Sequence, residues 1–261
     1  MAEYFDTGWL RTLTPVTNQI ASNGDDNAFA DKDVVFDWLE IEVPRGISRL
    51  TSASMILQGN HGARAAEIDF QLWFAKSKDG IAPVTLGTPN AATAPYISIQ
   101  TNLMGVIVFD DTHSTGDTTP YNNFYSTSIV RAGANSEQRD QGFTIDPEPS
   151  VTGGLSKIYV AGVSMGAINF STGVLVNDSG GAPEAEKTSA DASRTITVDG
   201  VDPRKVFDVG DTIQAMDLAT IGKVTSLGSH SIVCDEIATA LANNDEILTT
   251  SPVRIKLGLE Y

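Results

Sequence analysis

The sequence predicts an all-β chain, an antiparallel sandwich carrying a second, small β-barrel module. Three observations lead there. Short runs rich in Val, Ile, Thr, Phe and Trp alternate apolar and polar positions, the period of a half-buried strand. The 23 Gly and 11 Pro are spread along the whole 261 residues and separate those runs with turns. Amphipathic helical stretches between the runs are scarce, which argues against a parallel sheet wrapped in helices. A chain of this length makes one large domain or two modest ones, with a core that needs no covalent staples.

Residues 1–33 hold Trp9, Leu10, Leu13, Val16 and Ile20 with weak periodicity. That composition suits an arm that docks on a neighbour, so these five are the candidate contact residues. The segment 34–176 is expected to be the sandwich. Its first strand is 34–43, where Phe36, Trp38 or Leu39, Ile41 and Val43 give an alternating face, stopped by Pro44-Arg45-Gly46. A second strand spans 49–57. In 67–74, Ile68, Phe70, Leu72 and Phe74 face one way while Glu67, Asp69 and Gln71 face the other, as in a sheet with one solvated side. The continuous apolar run 103–109 predicts a buried strand. Strands are also expected at 126–132 and at 158–163, the latter preceded by the turn Thr152-Gly153-Gly154. The stretch 95–103 reads equally as a short helix or a strand, and 235–242 as a short helix.

Composition shifts at 177–192, which is small, polar and acidic and reads as a linker or long exposed loop. Beyond it, 194–198, 212–216, 221–227, 231–234 and 247–250 are short strand candidates closely spaced by turns, the pattern of a small barrel over 193–251. The final run, 252–261, alternates to the last residue and is expected to return to the sandwich. The barrel is then an insertion, expected to point away from any contact surface.

Charge and composition exclude several functions. Asp plus Glu number 33 against 17 Lys plus Arg, a net charge of −16. Such a chain is repelled by bare nucleic acid and by anionic membranes, so neither is an expected partner. A single cysteine, Cys234, excludes an intrachain disulfide and a multi-cysteine zinc site. His61, His113 and His230 lack ligand spacing. The opening MAEYFDTGWL is not a signal peptide, and no apolar run is long enough to span a bilayer, so synthesis in a cytoplasm is expected. Sequons at Asn169 and Asn177 then stay unmodified.

Motifs with chemistry are few. Gly162-Val163-Ser164-Met165-Gly166 matches the nucleophile elbow of hydrolases and comes after a strand, with His230 downstream. The next residues, Ala167-Ile168-Asn169-Phe170-Ser171-Thr172-Gly173, do not open a helix, so a hairpin turn is the stronger reading. Asp25, Asp26, Asn27, Asp31 and Asp33, and separately Asp110, Asp111 and Asp117, offer oxygen ligands without the spacing of a calcium loop, and solvated loops are expected. Glu67 and Asp69 are more simply solvent-facing acids than a glycosidase pair. Trp38 and Trp73 are expected to pack in the core, with sugar stacking the alternative. Cys234 is expected to be a buried thiol. No catalytic residue, cofactor or metal is assigned.

The stretches 44–109 and 157–176 resemble head decoration (cement) proteins of tailed bacteriophages. The likeness lies in the Pro44-Arg45-Gly46 stop, the strand Leu50-Thr51-Ser52-Ala53-Ser54-Met55-Ile56-Leu57, and the strand Ile68-Asp69-Phe70-Gln71-Leu72-Trp73-Phe74. It continues in Met104-Gly105-Val106-Ile107-Val108 and closes on Leu155-Ser156-Lys157-Ile158-Tyr159-Val160-Ala161-Gly162-Val163. It covers about two-fifths of the chain and does not extend to the module near 193–250. The resemblance implies a jelly-roll-like sandwich on the capsid exterior of a virion, made in the host cytoplasm. It also implies a non-enzymatic role, binding the major capsid protein lattice as a homotrimer and stabilising the head. The alternative is a receptor- or carbohydrate-binding virion protein of a tail or head fibre, and a hydrolase using Ser164 is a distant third.

Overall fold

The computed structural model describes residues 3–12, 28–58, 68–93, 97–109, 122–128, 144–149, 154–168, 170, 194–198, 202–215, 219–241 and 247–261. Its strands are β1 (Tyr4–Asp6), β2 (Leu10–Arg11), β3 (Val34–Val43), β4 (Ser48–Gln58), β5 (Phe70–Lys76), β6 (Leu103–Phe109), β7 (Asn122–Ser128), β8 (Thr144–Ile145), β9 (Ser156–Ser164), β10 (Thr195–Thr197), β11 (Thr212–Ala215), β12 (Thr220–Leu227), β13 (Ser231–Cys234), β14 (Ile247–Thr249) and β15 (Val253–Glu260). One short helix, α1 (Ile97–Asn102), precedes β6, so the ambiguous stretch 95–103 resolves into a helical turn running into a strand.

Among the described residues the chain is all-β, with three antiparallel sheets. A six-stranded sheet runs β1-β15-β4-β7, with β2 also on β15 and β8 on β4. A four-stranded sheet runs β3-β9-β5-β6. These two face each other across one core, sandwich-like. Leu50, Met55, Leu57, Ile255, Leu257 and Leu259 come from the first sheet and Ile41, Phe70, Leu72, Phe74, Ile158 and Val160 from the second. The period-2 patterns explain the sidedness: Phe70, Leu72 and Phe74 are fully buried while Gln71 and Trp73 turn outward.

Two turns are set by local chemistry. Asp79 and Gly80 both take positive φ (54° and 74°), and Lys78 and Ile81 exchange backbone hydrogen bonds at 3.0 Å, the two-residue hairpin an Asp-Gly pair favours. Gly46, at φ 92°, lets the chain step from β3 in one sheet to β4 in the other.

The third sheet has five strands in the order β10-β13-β12-β11-β14. The first half of β12 pairs with β11 and the second half with β13, with a register shift in each pairing, so the sheet curls into a half-barrel. Ile196, Val206, Phe207, Ile213, Ile221, Ile232 and Ile247 make a core of their own beneath it. In sequence this unit lies between β9 and β15, which belong to the other two sheets.

Several expectations are corrected. No helix forms over 235–241. The Asp235 and Ala238 amides donate to Lys223 and Ile221 of β12, and the Asp235 carboxylate accepts from the Lys223 and Glu236 amides. The segment is thus tied flat along a strand. Gly222 is where it crosses, since a Cβ there would overlap the Glu236 carbonyl. Strand β6 is buried on one face only; Ile107 and Phe109 point inward, but Val106 and Val108 are exposed. The strand expected at 126–132 begins earlier, at Asn122. Trp38 and Trp73 join a small second cluster with Val34, Leu86, Ala161 and Val163 on the outer face of the four-stranded sheet, outside the main core.

Candidate interaction surface

The Gly162-to-Gly166 motif does not build a nucleophile. Ser164 ends β9 fully buried, and its hydroxyl is paired with the backbone of Gly166 two residues on. Its amide and carbonyl are held by Asp33 and Lys32, and the chain then passes through a bend into a bridge between Ile168 and Phe29. No helix opens there. His230 is exposed on the β12–β13 hairpin of the five-stranded unit, in a different sheet.

The acidic clusters fare similarly. Asp33 is buried because its carboxylate accepts the Ala30 amide at 2.7 Å, a local turn cap. Asp31 is exposed beside Lys32. Asp25, Asp26, Asn27, Asp110, Asp111, Asp117 and Glu67 lie outside the described residues. Among the described residues no group of three or more His, Cys, Asp or Glu is placed to hold a metal ion. Cys234 is buried, and desolvation pushes its thiol up to about 11.

Of the five candidate contact residues, Trp9 is exposed and Leu10 is half-buried against the main core of its own chain. Leu10 sits in β2, opposite Ile255 of β15, so residues 3–12 are seated in the chain's own sheet. Leu13, Val16 and Ile20 lie outside the described residues.

A different apolar surface emerges from the register. Tyr4 lies opposite Glu260, Glu260 opposite Arg49, Ser48 opposite Ile145, Val43 opposite Ser156, and Ile158 opposite Lys76. All these pairs mark one end of the sandwich, where β3 crosses to β4. Gathered there are Tyr4 (73 % exposed), Ile47 (68 %), Ile81 (71 %), Leu155 (44 %) and Tyr261 (43 %). Ile47, Ile81 and Leu155 each come directly after a glycine of positive φ: Gly46, Gly80 and Gly154. Ile81 is therefore displayed on a tight hairpin, and Ile47 beside the bend that joins β3 to β4. The Ile81 hairpin is braced from below. Glu148 accepts the Gly80 amide at 2.9 Å, and the Ser77 hydroxyl with the Gly80 and Asp79 amides holds its carboxyl below the usual range. Lys76 pairs with Asp146 at 3.0 Å, and a side-chain hydrogen bond to Glu3 raises the Tyr261 phenol.

Charge at this end is close to balanced. Arg45, Arg49, Lys76 and Lys78 stand among Glu3, Asp79, Asp146, Glu148 and Glu260, in a chain whose net charge is −16. The five-stranded unit sits at the far end, where β4 and β9 finish and β15 begins. There Gln58 donates to the Val206 carbonyl, and Arg254 pairs with Asp211 at 2.6 Å and with Asp208.

Sequence reasoning missed this surface. The available signal was an aliphatic residue directly after a turn glycine, where a polar residue is usual, repeated at 46–47, 80–81 and 154–155. The arrangement can exclude water over an apolar area whose surrounding charges nearly cancel. No protein-family model and no curated protein matches the chain.

Proposed function

We propose that this chain is a non-enzymatic capsid decoration (cement) protein of a tailed-bacteriophage head. It binds the major capsid protein lattice through the apolar end of its sandwich and carries the inserted unit outward. The observation that carries this reading is the placement of Tyr4, Ile47, Ile81, Leu155 and Tyr261 together at the end opposite the inserted unit. Exposed apolar groups on rigid turns lose little entropy on docking, and a nearly neutral surface approaches a partner with less repulsion than the rest of an acidic chain.

The topology supports a jelly-roll reading of the sandwich. Taking β1, β3, β4, β5, β6, β7, β9 and β15 as successive strands, the first pairs with the last, and β1-β15-β4-β7 faces β3-β9-β5-β6. That is the order of two nested Greek keys, an architecture common in capsid proteins and lectins. We read 34–176 with 252–261, joined by β1 of the N-terminal segment, as this sandwich, and 193–251 as a small barrel inserted between its last two strands. A homotrimer fits the resemblance, with copies closing around an axis to bury the edges of β6 and β1.

The test uses heads that lack the protein. Purified chain added back is expected to bind at a copy number near that of the major capsid protein, or about a third of it if clusters are isolated. It should also raise the temperature at which heads burst. An Ile47→Asp, Ile81→Asp double variant should do neither. A handful of copies per particle, with binding to host cells or glycans and no effect on head strength, would overturn the reading in favour of a receptor-binding fibre protein.

A further inference from the structure

Arg11 of β2 and Arg254 of β15 stand directly opposite each other in an antiparallel pair. Like charges in that position weaken strand pairing. Here one carboxylate serves both: Asp211 accepts Arg11 Nε on Oδ1 and Arg254 Nη2 on Oδ2, each at 2.6 Å. Arg254 also meets Asp208, and Arg11 Nη2 donates to the Val209 carbonyl at 2.9 Å.

Both acids belong to a single tight turn of the inserted unit. The Asp208 amide donates to Asp211 Oδ2 at 2.8 Å, and the Asp211 amide to the Asp208 carbonyl at 3.0 Å. Gly210, at φ 96°, keeps the turn flat under the Arg11 guanidinium, which lies 3.4 Å from where a Cβ would stand. Hydrogen bonds between Gly210 and Val224, and between Val224 and Asp211, tie the turn to β12. Asp211 is wholly buried and Arg254 nearly so. Strand β2 itself is only two residues long and leads into Thr12, whose amide and hydroxyl donate to the Val253 carbonyl at 3.2 and 2.7 Å.

We propose that the Asp208–Asp211 turn is a keeper for the N-terminal strand. The inserted unit holds β2 on the sandwich by neutralising the Arg11–Arg254 pair, so β2 stays seated only while that unit is docked. Undocking leaves the two cations face to face without their shared counter-charge and releases β2 from β15, uncovering the edge of the last strand. The inserted unit and the N-terminal segment thus move as one interlocked pair, whatever surface the chain binds.

Hydrogen exchange on the full-length chain tests this. In Asp211→Asn, exchange at Leu10 and Thr12 is expected to speed up by about tenfold or more, with β9 unchanged and β12 still protected. Adding Arg11→Leu removes the repulsion and should return the Thr12 amide to within about threefold of its rate in Arg11→Leu alone. If Asp211→Asn also loosens β12, the same pair of measurements is made with Asp208→Asn, whose carboxylate is largely exposed and whose loss spares the turn's backbone bonds. Unchanged protection at Thr12 with β12 intact, or acceleration that Arg11→Leu does not reverse, overturns the proposal.

Discussion

Gly162 of β9 packs flat against the ring of Phe36 on β3, and no side chain fits between them. A Cβ built on Gly162 would lie 2.8 Å from Phe36 Cζ and closer still to Cε1. The β3–β9 register shifts at this point, which lets the ring lie over the glycine. The first glycine of the Gly162-to-Gly166 motif is therefore a packing residue. Gly162→Ala is expected to cost about 1–3 kcal/mol through overpacking. Gly166→Ala should cost far less, because its Cβ would meet Ile68 Cγ2 at an ordinary 3.5 Å. Urea denaturation of the two variants checks the contrast, and equal losses would refute it.

The same glycine shows where sequence reasoning succeeds and where it stops. Strands β3, β4, β5, β9 and β15 are legible to within about three residues: β3, β4, β5 and β15 bury one face against the opposite sheet and their alternation records it, whereas β9 is buried on both faces and shows as a continuous apolar run. That no helix opens over 165–168 is likewise legible, but the hairpin turn expected there does not form: a bend at Met165-Gly166 lets the chain run on to pair Ile168 with Phe29, in the segment that leads into β3. The stretch 235–242 misleads because helical spacing in so short a segment is weaker than the backbone bonds that β12 offers. Strand β6 misleads for another reason. An uninterrupted apolar run says nothing of whether both faces are covered, and at an edge of this sheet one is not. The apolar end is illegible because Tyr4, Ile47, Ile81, Leu155 and Tyr261 come from separate segments, and only the strand register brings them together.

Asp202 caps the turn Pro203–Lys205, accepting the Arg204 amide at 3.0 Å and pairing with the Arg204 guanidinium at 2.6 Å. The side-chain hydrogen bond from Arg204 comes first among the causes that bring its carboxyl from 3.8 to about 2. A depressed carboxyl contributes stability that is complete above its unfolded value and disappears as pH falls through the folded one. Its contribution should therefore fade between about pH 4 and pH 2. A carboxyl-carbon NMR titration should place the midpoint near 2, and Arg204→Ala should return it toward 3.8. An unchanged midpoint in that variant would sink the assignment.

Cys234 faces the small core beneath the five-stranded sheet, opposite Val224. Burial raises its thiol to about 11, with the neighbouring Asp235 carboxylate adding to the effect. At pH 8 the folded chain thus presents an inaccessible, protonated sulfur. Reaction with an aromatic disulfide reagent is expected to be about a hundredfold slower or more than in denaturant, since it must wait for opening of the unit. The sign for stability is also fixed. Between about pH 9 and 11 the unfolded chain loses this proton while the folded chain keeps it, so stability falls across that window. Rapid native labelling would show that the inserted unit opens freely.

Ile47 and Ile81 separate folding from docking. A side chain displayed on a turn and more than two-thirds exposed has little packing to lose, so Ile47→Asp and Ile81→Asp should each change stability by no more than about 0.5 kcal/mol. Leu57→Ala, a fully buried truncation on β4, should cost about 2–5 kcal/mol and serves as the contrast. If the apolar end is a docking surface, the two aspartates should cut partner binding sharply, because each would bring an unpaired charge into a desolvated contact. Leu57→Ala should weaken binding only to the extent that it unfolds the chain. Thermal melts and co-sedimentation with capsids, run on the same preparations, read both quantities. If the aspartate variants bind as the parent does, the contact lies elsewhere, and the exposed face of Val106 and Val108 on β6 is the next surface to charge. If they instead melt many degrees lower, the turns are structural and their exposure is no guide to function.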